Sequence, residues 1–353
     1  MRLRTRPAEH RMRRLISIFF TLSCIALLAL GAAVWWGRQW MHAPIPKLQS
    51  SINFEVRRGA TLRSVAMDLK QLGIVDQPQL WFAWARLTQR GAVLKAGEYQ
   101  INPGTTPQGL LQLLSSGAVL LHSVTFIEGS TFADMRKLLK AHRAVRGDFA
   151  ERSDQDIMRA LGQPGVHPEG QFFPDTYRFA RDTSDLELLT LAHQRMTAEL
   201  AAAWKERAAD LPLATAYEAL ILASIVEKET ALDRERPLVS GVFIERLQRG
   251  MRLQTDPTVI YGIGSSYDGD IRNADLRRDT PYNTYTRAGL PPTPISLPGL
   301  ASLRAAVKPT RSGAIFFVAT GEADGSHFFS PTLAEHEAAV QRYLRRFRQL
   351  NQN

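Results

Sequence analysis

The sequence of 353 residues predicts an α+β protein with one N-terminal membrane-spanning helix, a small α+β module and a larger α+β domain. Three observations support this class. An uncharged apolar run lies near the N terminus, the chain after it is too long for one small core, and its strand-like and helix-like segments do not alternate regularly. The expected parts are a basic tail (1–14), a transmembrane helix (15–36), a linker (37–51), the small module (52–120) and the larger domain (121–353).

The apolar run over residues 15–36 is long enough to cross a hydrocarbon core of about 30 Å as a helix. Arginines precede it and Trp35, Trp36 and Trp40 follow, which predicts a cytoplasmic amino terminus and tryptophans at the far interface. A cleaved signal peptide and a lipoprotein built on Cys24 are the alternatives. The run is longer than a usual signal core and Cys24 lies in its middle, so an uncleaved anchor is favoured.

The formal net charge of +10 is concentrated at the N terminus. Residues 1–14 hold six arginines and one glutamate, so the rest of the chain carries only about +5, without a cluster. A diffuse excess of this size suits contact with an anionic polymer or a membrane surface. Since no recognition motif accompanies the charge, we expect no nucleic-acid partner.

Cys24 is the only cysteine, so no disulfide and no cysteine-bound metal are expected after the anchor. The eight histidines are scattered, without a pair at the spacing of zinc ligands on a helix. The sequence also contains no Gly-x-Ser-x-Gly elbow, no Walker loop and no complete dinucleotide-binding glycine pattern. These observations predict neither a metal nor another cofactor.

The module begins with a strand–turn–helix pattern in which Thr61 is the predicted N-cap and Gly73 the stop. Its other predicted elements are a helix from Pro78 to about Gln89, a strand over residues 97–101 and a helix between Thr106 and Gly117. The same placement of apolar residue, glycine, threonine and apolar residue returns over residues 126–132. Beyond it we expect helices to about Arg249, a loop-rich region over 252–299, a strand at 315–318 and a helix over 333–350.

A largely apolar helix over residues 220–231 ends in two acidic residues, Glu227 and Glu229. At 100° per residue, Glu229 lies within about 60° of Ile225 and Val226, whereas Glu227 follows a face of smaller residues. Burial of a carboxyl raises its pKa, as a general acid near neutral pH requires. Periodicity therefore favours Glu229, and the alternative is that both glutamates are solvated at a helix end and paired with Lys228 or Arg236.

Several turns combine aromatic, amide, hydroxyl and carboxyl side chains, which is the composition of saccharide-binding sites. The predicted substrate-binding residues are Glu169, Phe173, Asp175, Gln254, Thr255, Asp256, Tyr261, Tyr282, Asn283, Tyr285 and His327. Turns of the same composition also occur where nothing binds, and for His327 a structural histidine is the favoured interpretation.

These motifs resemble the YceG-like family of endolytic murein transglycosylases. The resemblance extends over nearly the whole chain and is carried by residues 169–177, 223–231, 250–262, 282–285, 289–292 and 327–328. It implies that Glu229, the second glutamate of the motif, is the catalytic residue. It further implies a LysM-like module over residues 52–120, although this segment departs from standard LysM sequences, and a YceG-like catalytic domain over 121–353.

The resemblance implies cleavage of the MurNAc–GlcNAc bond within nascent glycan strands, without water, to leave 1,6-anhydro-MurNAc ends. Glu229 would act first as acid and then as base, and Asp256 is the candidate for a second carboxylate. A hydrolytic muramidase and a non-catalytic glycan-binding scaffold of the wall-synthesis machinery are the alternatives.

The partners implied are peptidoglycan glycan strands and the peptidoglycan synthases known as penicillin-binding proteins. The implied location is the bacterial inner membrane, with the amino terminus in the cytoplasm and the catalytic domain in the periplasm.

Overall fold

The computed structural model describes residues 7–88 and 94–350. Helices and strands are mixed throughout these residues, which confirms the predicted α+β class. The chain divides into two compact units, Met1–His122 and Ser123–Asn353.

The first unit contains four helices and two strands in its described residues. They are α1 (Pro7–His42), β1 (Ile52–Val56), α2 (Leu62–Gln71), α3 (Pro78–Leu87), β2 (Gly97–Ile101) and α4 (Pro107–Ser116). Strands β1 and β2 pair antiparallel, with Phe54 opposite Tyr99. Trp81 is fully buried and its indole N–H donates to the Pro107 carbonyl at 2.9 Å, which joins α3 to the start of α4. The predicted stop at Gly117 is confirmed, because this residue ends α4 in the left-handed conformation.

Helix α1 is long and apolar enough over Met12–His42 to cross a membrane. The structure differs from the expected linker over residues 37–51. The helix continues to His42, and Met41, Ile45 and Leu48 are buried in the core of the first unit. These apolar side chains attach the end of α1 to the folded unit instead of leaving a free connection.

The second unit is mainly helical, with small two-stranded sheets at its margins. Its elements are β3 (Leu121–Thr125, which crosses the division), α5 (Phe132–Ala141), β4 (Val145–Arg146), α6 (Asp154–Ala160), β5 (Thr176–Ala180), β6 (Thr183–Ser184), α7 (Asp185–Lys205), α8 (Ala216–Glu229), α9 (Arg236–Gln248), α10 (Asp256–Ile263), α11 (Asn273–Arg277), α12 (Leu300–Val307), β7 (Phe316–Ala319), β8 (His327–Ser330) and α13 (Leu333–Leu350). The pairs are β3 with β5, β4 with β6, and β7 with β8.

Helix α8 lies at the centre of this unit and packs against α7, α9 and α12. Every residue from Ala219 to Val226 is buried, as expected for a helix that is apolar on all sides. Thr215 caps its amino end, and the last turn reaches the margin of the core. The carboxyl groups of Glu227 and Glu229 are therefore placed where the apolar interior ends.

The repeated pattern of apolar residue, glycine and threonine produces the same local structure twice. Thr61 caps α2 and Thr131 caps α5, each through a reciprocal capping box with the residue three positions later. The predicted strand–turn–helix units are confirmed at both places. The region expected to be rich in loops, residues 252–299, contains the short helices α10 and α11.

Candidate active site

Glu229 is the last residue of α8, and its carboxyl group is partly buried. The Thr255 hydroxyl donates a hydrogen bond to Oε1 of Glu229. Among the residues that the structure describes, no other group donates to this carboxyl. The pKa of Glu229 is raised to about 7, chiefly by burial and also by the Asp256 carboxylate, against the opposing effects of the Thr255 hydrogen bond and the Arg246 cation.

Thr255 is fixed in place by contacts on both sides of its peptide. It is 2% exposed, and its N–H donates to Oγ1 of Thr284 at 3.1 Å. Its carbonyl accepts from the hydroxyl of Thr258 at 2.7 Å, one turn into α10. The preceding residue, Gln254, is exposed and has a φ of +52°, a left-handed conformation that non-glycine residues rarely adopt. The backbone of this turn therefore holds Thr255 in the position from which its hydroxyl donates to Glu229.

Asp256 and Tyr285 form a second polar pair beside Glu229. The Tyr285 hydroxyl donates to Oδ1 of Asp256 at 2.5 Å, and the Asp256 side chain is exposed. Burial and the hydrogen bond to Asp256 raise the pKa of Tyr285, so its hydroxyl keeps its proton at neutral pH. The structure thus brings Thr255, Asp256 and Tyr285 together with Glu229, and Gln254 immediately precedes Thr255 in the chain.

Glu169 is a second carboxyl whose pKa burial raises to about 7, although its hydrogen bonds oppose this shift. It is 4% exposed, and both of its oxygens are occupied. Oε1 accepts from the backbone N–H of Phe132 at 2.9 Å, and Oε2 accepts from the Tyr261 hydroxyl at 3.1 Å. The ring of Tyr261 packs edge-on against Tyr282, with the centroids 4.8 Å apart. Glu169 therefore joins the start of α5 to α10.

Helix α10 connects the two carboxyl sites. Thr255 at its N-cap contacts Glu229, while Tyr261 near its carboxyl end contacts Glu169. Five residues separate Asp256 from Tyr261, which is about 8 Å along a helix axis. A movement of α10 as a rigid helix would thus change both the Thr255–Glu229 contact and the Tyr261–Glu169 contact.

Three of the other predicted binding residues make internal contacts. Asn283 is 1% exposed, and its Nδ2 donates to backbone carbonyls at the carboxyl end of α11. Phe173 lies under the Arg195 guanidinium, 5.2 Å from ring centroid to carbon, and Asp175 pairs with the same arginine at 3.3 Å. The predicted contacts of these residues with substrate stay predictions, and the structure does not bring them to Glu229.

His327 is held by a buried acid. Its Nδ1 lies 2.7 Å from Oε2 of Glu235, and its backbone N–H donates to the other oxygen at 3.1 Å. This double contact attaches the start of β8 to the residue before α9. The alternative interpretation of a structural histidine is compatible with this arrangement, and a substrate contact stays a prediction.

The two glutamates at the end of α8 have different surroundings. Glu227 is buried, pairs with Arg236 at 3.3 Å and accepts the N–H of Gly299 at 2.9 Å. Pairing with Arg236, the alternative considered for both acids, is present for Glu227. Glu229 has no basic partner of this kind in the described part of the chain and keeps one oxygen without an internal donor.

Sequence reasoning missed two residues of this site, Arg246 and Thr284. Arg246 could have been noticed, because it continues the apolar face of α9 formed by Val239, Val242 and Phe243, where a charged residue needs an explanation. Thr284 gives no such signal, since threonine is common in loops. No cluster of three or more His, Cys, Asp or Glu side chains suited to a metal occurs in residues 7–88 and 94–350.

The chain matches the YceG-like family over residues 54–342. It is 28% identical to an endolytic murein transglycosylase of Bacillus subtilis, over 90% of this chain and 91% of that protein. It is 24% identical to an endolytic murein transglycosylase of Streptococcus pneumoniae serotype 2, over 92% of this chain and 65% of that protein. The crystal structure of a YceG-like protein from Listeria monocytogenes, 25% identical, superposes with a TM-score of 0.50 over 82% of this chain and 99% of the other. The chain belongs to the YceG-like family.

Proposed function

We propose that the chain is an endolytic peptidoglycan lytic transglycosylase in which Glu229 is the single acid and base. The enzyme class rests on family membership and on the relatives, which are endolytic murein transglycosylases. One observation carries the assignment of the residue. Glu229 ends the central apolar helix with a carboxyl whose pKa burial raises to about 7 and whose second oxygen has no donor among the described residues.

The proposed reaction requires one carboxyl and no water. Protonated Glu229 donates its proton to the GlcNAc O4 oxygen while the bond from C1 of MurNAc to that oxygen breaks. The resulting carboxylate removes the proton from the C6 hydroxyl of the same MurNAc, and O6 bonds to C1. Glu229 ends protonated again, and the products are a GlcNAc 4-hydroxyl and a 1,6-anhydro-MurNAc end. The internal hydroxyl replaces the second carboxylate of ordinary glycosidases, because it is already held close to C1.

The neighbours of Glu229 suit a group that must both give and take a proton. A pKa of about 7 keeps both forms accessible at neutral pH. The Thr255 hydroxyl fixes Oε1 and leaves Oε2 for the substrate. Asp256 is exposed beside this carboxyl and engaged by Tyr285, so we assign it to shaping the site and raising the pKa of Glu229.

The predicted binding residues divide by exposure. Gln254 and Asp256 are exposed on either side of Thr255, and Tyr285 is half-buried and hydrogen-bonded to Asp256; we propose these three as glycan contacts. Glu169 and Tyr261 are occupied with each other and with the backbone, so we assign them to holding α10.

We further propose that α1 anchors the protein in the bacterial inner membrane, with the amino terminus in the cytoplasm and the second unit in the periplasm. The apolar length of α1 supports the anchor, and the arginines before it support the orientation. External protease added to spheroplasts should digest the second unit, and protection of that unit would reverse the orientation. Association with penicillin-binding synthases rests on the family resemblance and can be tested by cross-linking in cells, where their absence among the products would count against it.

The test compares the full chain in detergent with its Glu229→Gln variant on uncrosslinked peptidoglycan strands, and identifies the new ends by mass spectrometry. Anhydro-MurNAc ends from the wild type, absent with the variant, support the proposal. Reducing ends would indicate a hydrolytic muramidase, and no cleavage by either protein would favour a glycan-binding scaffold. Equal cleavage by both proteins would remove Glu229 from its role.

A further inference from the structure

Arg246 is a buried cation close to the candidate active site that the proposed reaction does not use. It lies on α9 and is 7% exposed. Its Nε donates to the Ile315 carbonyl at 2.7 Å, just before β7, and its Nη1 donates to the Leu253 carbonyl at 2.7 Å. The guanidinium also covers the ring of Phe316, 5.4 Å from the centroid.

Burial of a guanidinium costs desolvation free energy unless hydrogen bonds or an opposite charge compensate for the lost water. In the described part of the chain, Arg246 forms no ion pair with a carboxylate, and its matched partners are the backbone carbonyls and the Phe316 ring. An apolar residue would fill this face of α9 at lower cost, because Val242 and Phe243 already do so nearby. The arginine therefore calls for a role beyond packing.

The carbonyl that Arg246 binds belongs to the turn that carries the Thr255 donor. Leu253 precedes Gln254, whose left-handed φ of +52° needs support from its surroundings. On one side, Thr284 accepts the N–H groups of Gln254 and Thr255, through its carbonyl at 3.2 Å and its hydroxyl at 3.1 Å. On the other side, Arg246 donates to Leu253. The turn is clamped between these two contacts.

We propose that Arg246 is a positioning residue, which holds the turn of residues 253–255 so that the Thr255 hydroxyl meets Glu229. This inference rests on the proposed role of Glu229 as acid and base. Because the guanidinium is also positive, it favours the ionised form of Glu229 and lowers its pKa. One side chain thus contributes both to the position of the Thr255 donor and, more weakly than burial does, to the pKa of Glu229.

The groups around this pair determine what a pH profile will report. Glu229 faces Arg246, Asp256 and Tyr285, while Arg246 also faces His336 on α13. Burial lowers the pKa of His336 and raises that of Tyr285, so both are neutral near pH 7. Since Glu229 must begin protonated, activity falls as the pH rises through its pKa. Removal of the Arg246 charge raises that pKa and moves this descending limb to higher pH.

The test measures kcat, KM and the pH dependence of cleavage for the full chain with Arg246→Lys, Arg246→Met or the control Arg249→Met. Arg249 ends the same helix, is about half exposed and pairs only with Glu245 among the described residues. Arg246→Met should lower kcat about 100-fold with little change in KM, and move the descending limb upward by about one pH unit. Arg246→Lys keeps the charge but not the fork, and should lower kcat about 10-fold with the limb in place. Arg249→Met should behave as wild type.

The inference is overturned if Arg246→Met matches Arg249→Met in kcat and limb, or if its loss lies entirely in KM. Should Arg246→Met fail to fold, Arg246→Lys decides, and wild-type kcat in that variant removes the positioning role. Glu229→Gln is measured alongside. An active Glu229→Gln would refute the proposed role of Glu229, on which this inference rests, whereas an inactive one with unaffected Arg246 variants would refute this inference alone.

Discussion

Glu229 and Glu169 share the same raised pKa of about 7 and serve the molecule differently. Both contact α10, Glu229 at its N-cap and Glu169 near its carboxyl end. Glu169 is enclosed and accepts hydrogen bonds on both oxygens, from Phe132 and Tyr261. Glu229 is partly exposed, and Thr255 alone donates to it among the described residues. Burial raises the pKa of both groups, but only Glu229 keeps an oxygen without a donor among the described residues.

The comparison separates the two consequences of burying a carboxyl. At Glu169 the raised pKa results from burial of a carboxyl that accepts hydrogen bonds from α5 and α10. At Glu229, the proposed acid, the same shift would keep a proton available at the edge of the core near neutral pH. A perturbed pKa therefore marks a candidate residue, and the free oxygen distinguishes the candidate acid from the structural one.

The largest expected effect is the difference in cleavage rate between Glu229→Gln and Glu169→Gln. Glu229→Gln should lower the cleavage rate at least about 1,000-fold, because it removes the proposed proton donor to the leaving oxygen, while the protein stays folded. Glu169→Gln should lower it less than about 10-fold, since glutamine can keep both internal contacts. Rates on isolated strands and thermal melting check both variants. Similar rate losses in the two variants would erase the distinction between the sites.

A second prediction concerns stability and pH. Because burial raises the pKa of Glu169 from 4.5 to about 7, its stabilising contribution is complete below pH 4.5 and is lost as the pH rises through 7. The free energy of unfolding should fall by roughly 3 kcal/mol over this range from Glu169 alone. Glu169→Gln should remove that part of the slope, measured by denaturant unfolding at several pH values. An unchanged slope in the variant would mean that folding does not raise the pKa of Glu169.

Thr255→Val tests the donor that distinguishes Glu229. The substitution keeps the shape and removes the hydrogen bond, which is worth about 1.5–3 kcal/mol when one partner is charged. We expect a 10- to 100-fold lower kcat and a descending pH limb at higher pH, because the lost bond favoured the ionised form of Glu229. Steady-state kinetics between pH 5 and 9 would check this, and a limb that moves to lower pH would contradict it.

The smallest effect is expected for Tyr261→Phe. It removes the donor to Oε2 of Glu169 while retaining the ring contact with Tyr282. The free energy of unfolding should fall by about 1 kcal/mol, with cleavage within a few-fold of wild type. A loss of activity without a loss of stability would instead place Tyr261 on the substrate.

Local patterns predicted much of the fold. The caps at Thr61, Thr106 and Thr131, the apolar run of α8 and the bounds of α13 follow from short-range chemistry, and the structure confirms them. The linker was harder to predict, because burial of Met41 depends on a core formed by residues far along the chain.

The site was only partly predictable for the same reason. Helical periodicity separates Glu229 from Glu227 because both lie on one helix. In the structure Glu227 pairs with Arg236 and Glu229 accepts from Thr255, and the choice of Glu229 as the acid stays a prediction. The contact from Thr255 to Glu229 and that from Tyr261 to Glu169 join distant segments, which no local pattern encodes. The amide side chain of Asn283 is of a kind that often binds ligands, yet its Nδ2 donates to backbone carbonyls at the end of α11.

The most direct test of the account is the pH dependence of kcat/KM for the wild type and for Glu169→Gln. Since Glu229 must begin protonated and has a pKa of about 7, the rate should fall above about pH 7 in both proteins. If the rate still falls above about pH 7 in Glu169→Gln, the titrating group is not Glu169, and the result supports Glu229 as the acid. A wild-type rate that is flat from pH 5 to 9, or a limb that disappears in Glu169→Gln, would contradict the account.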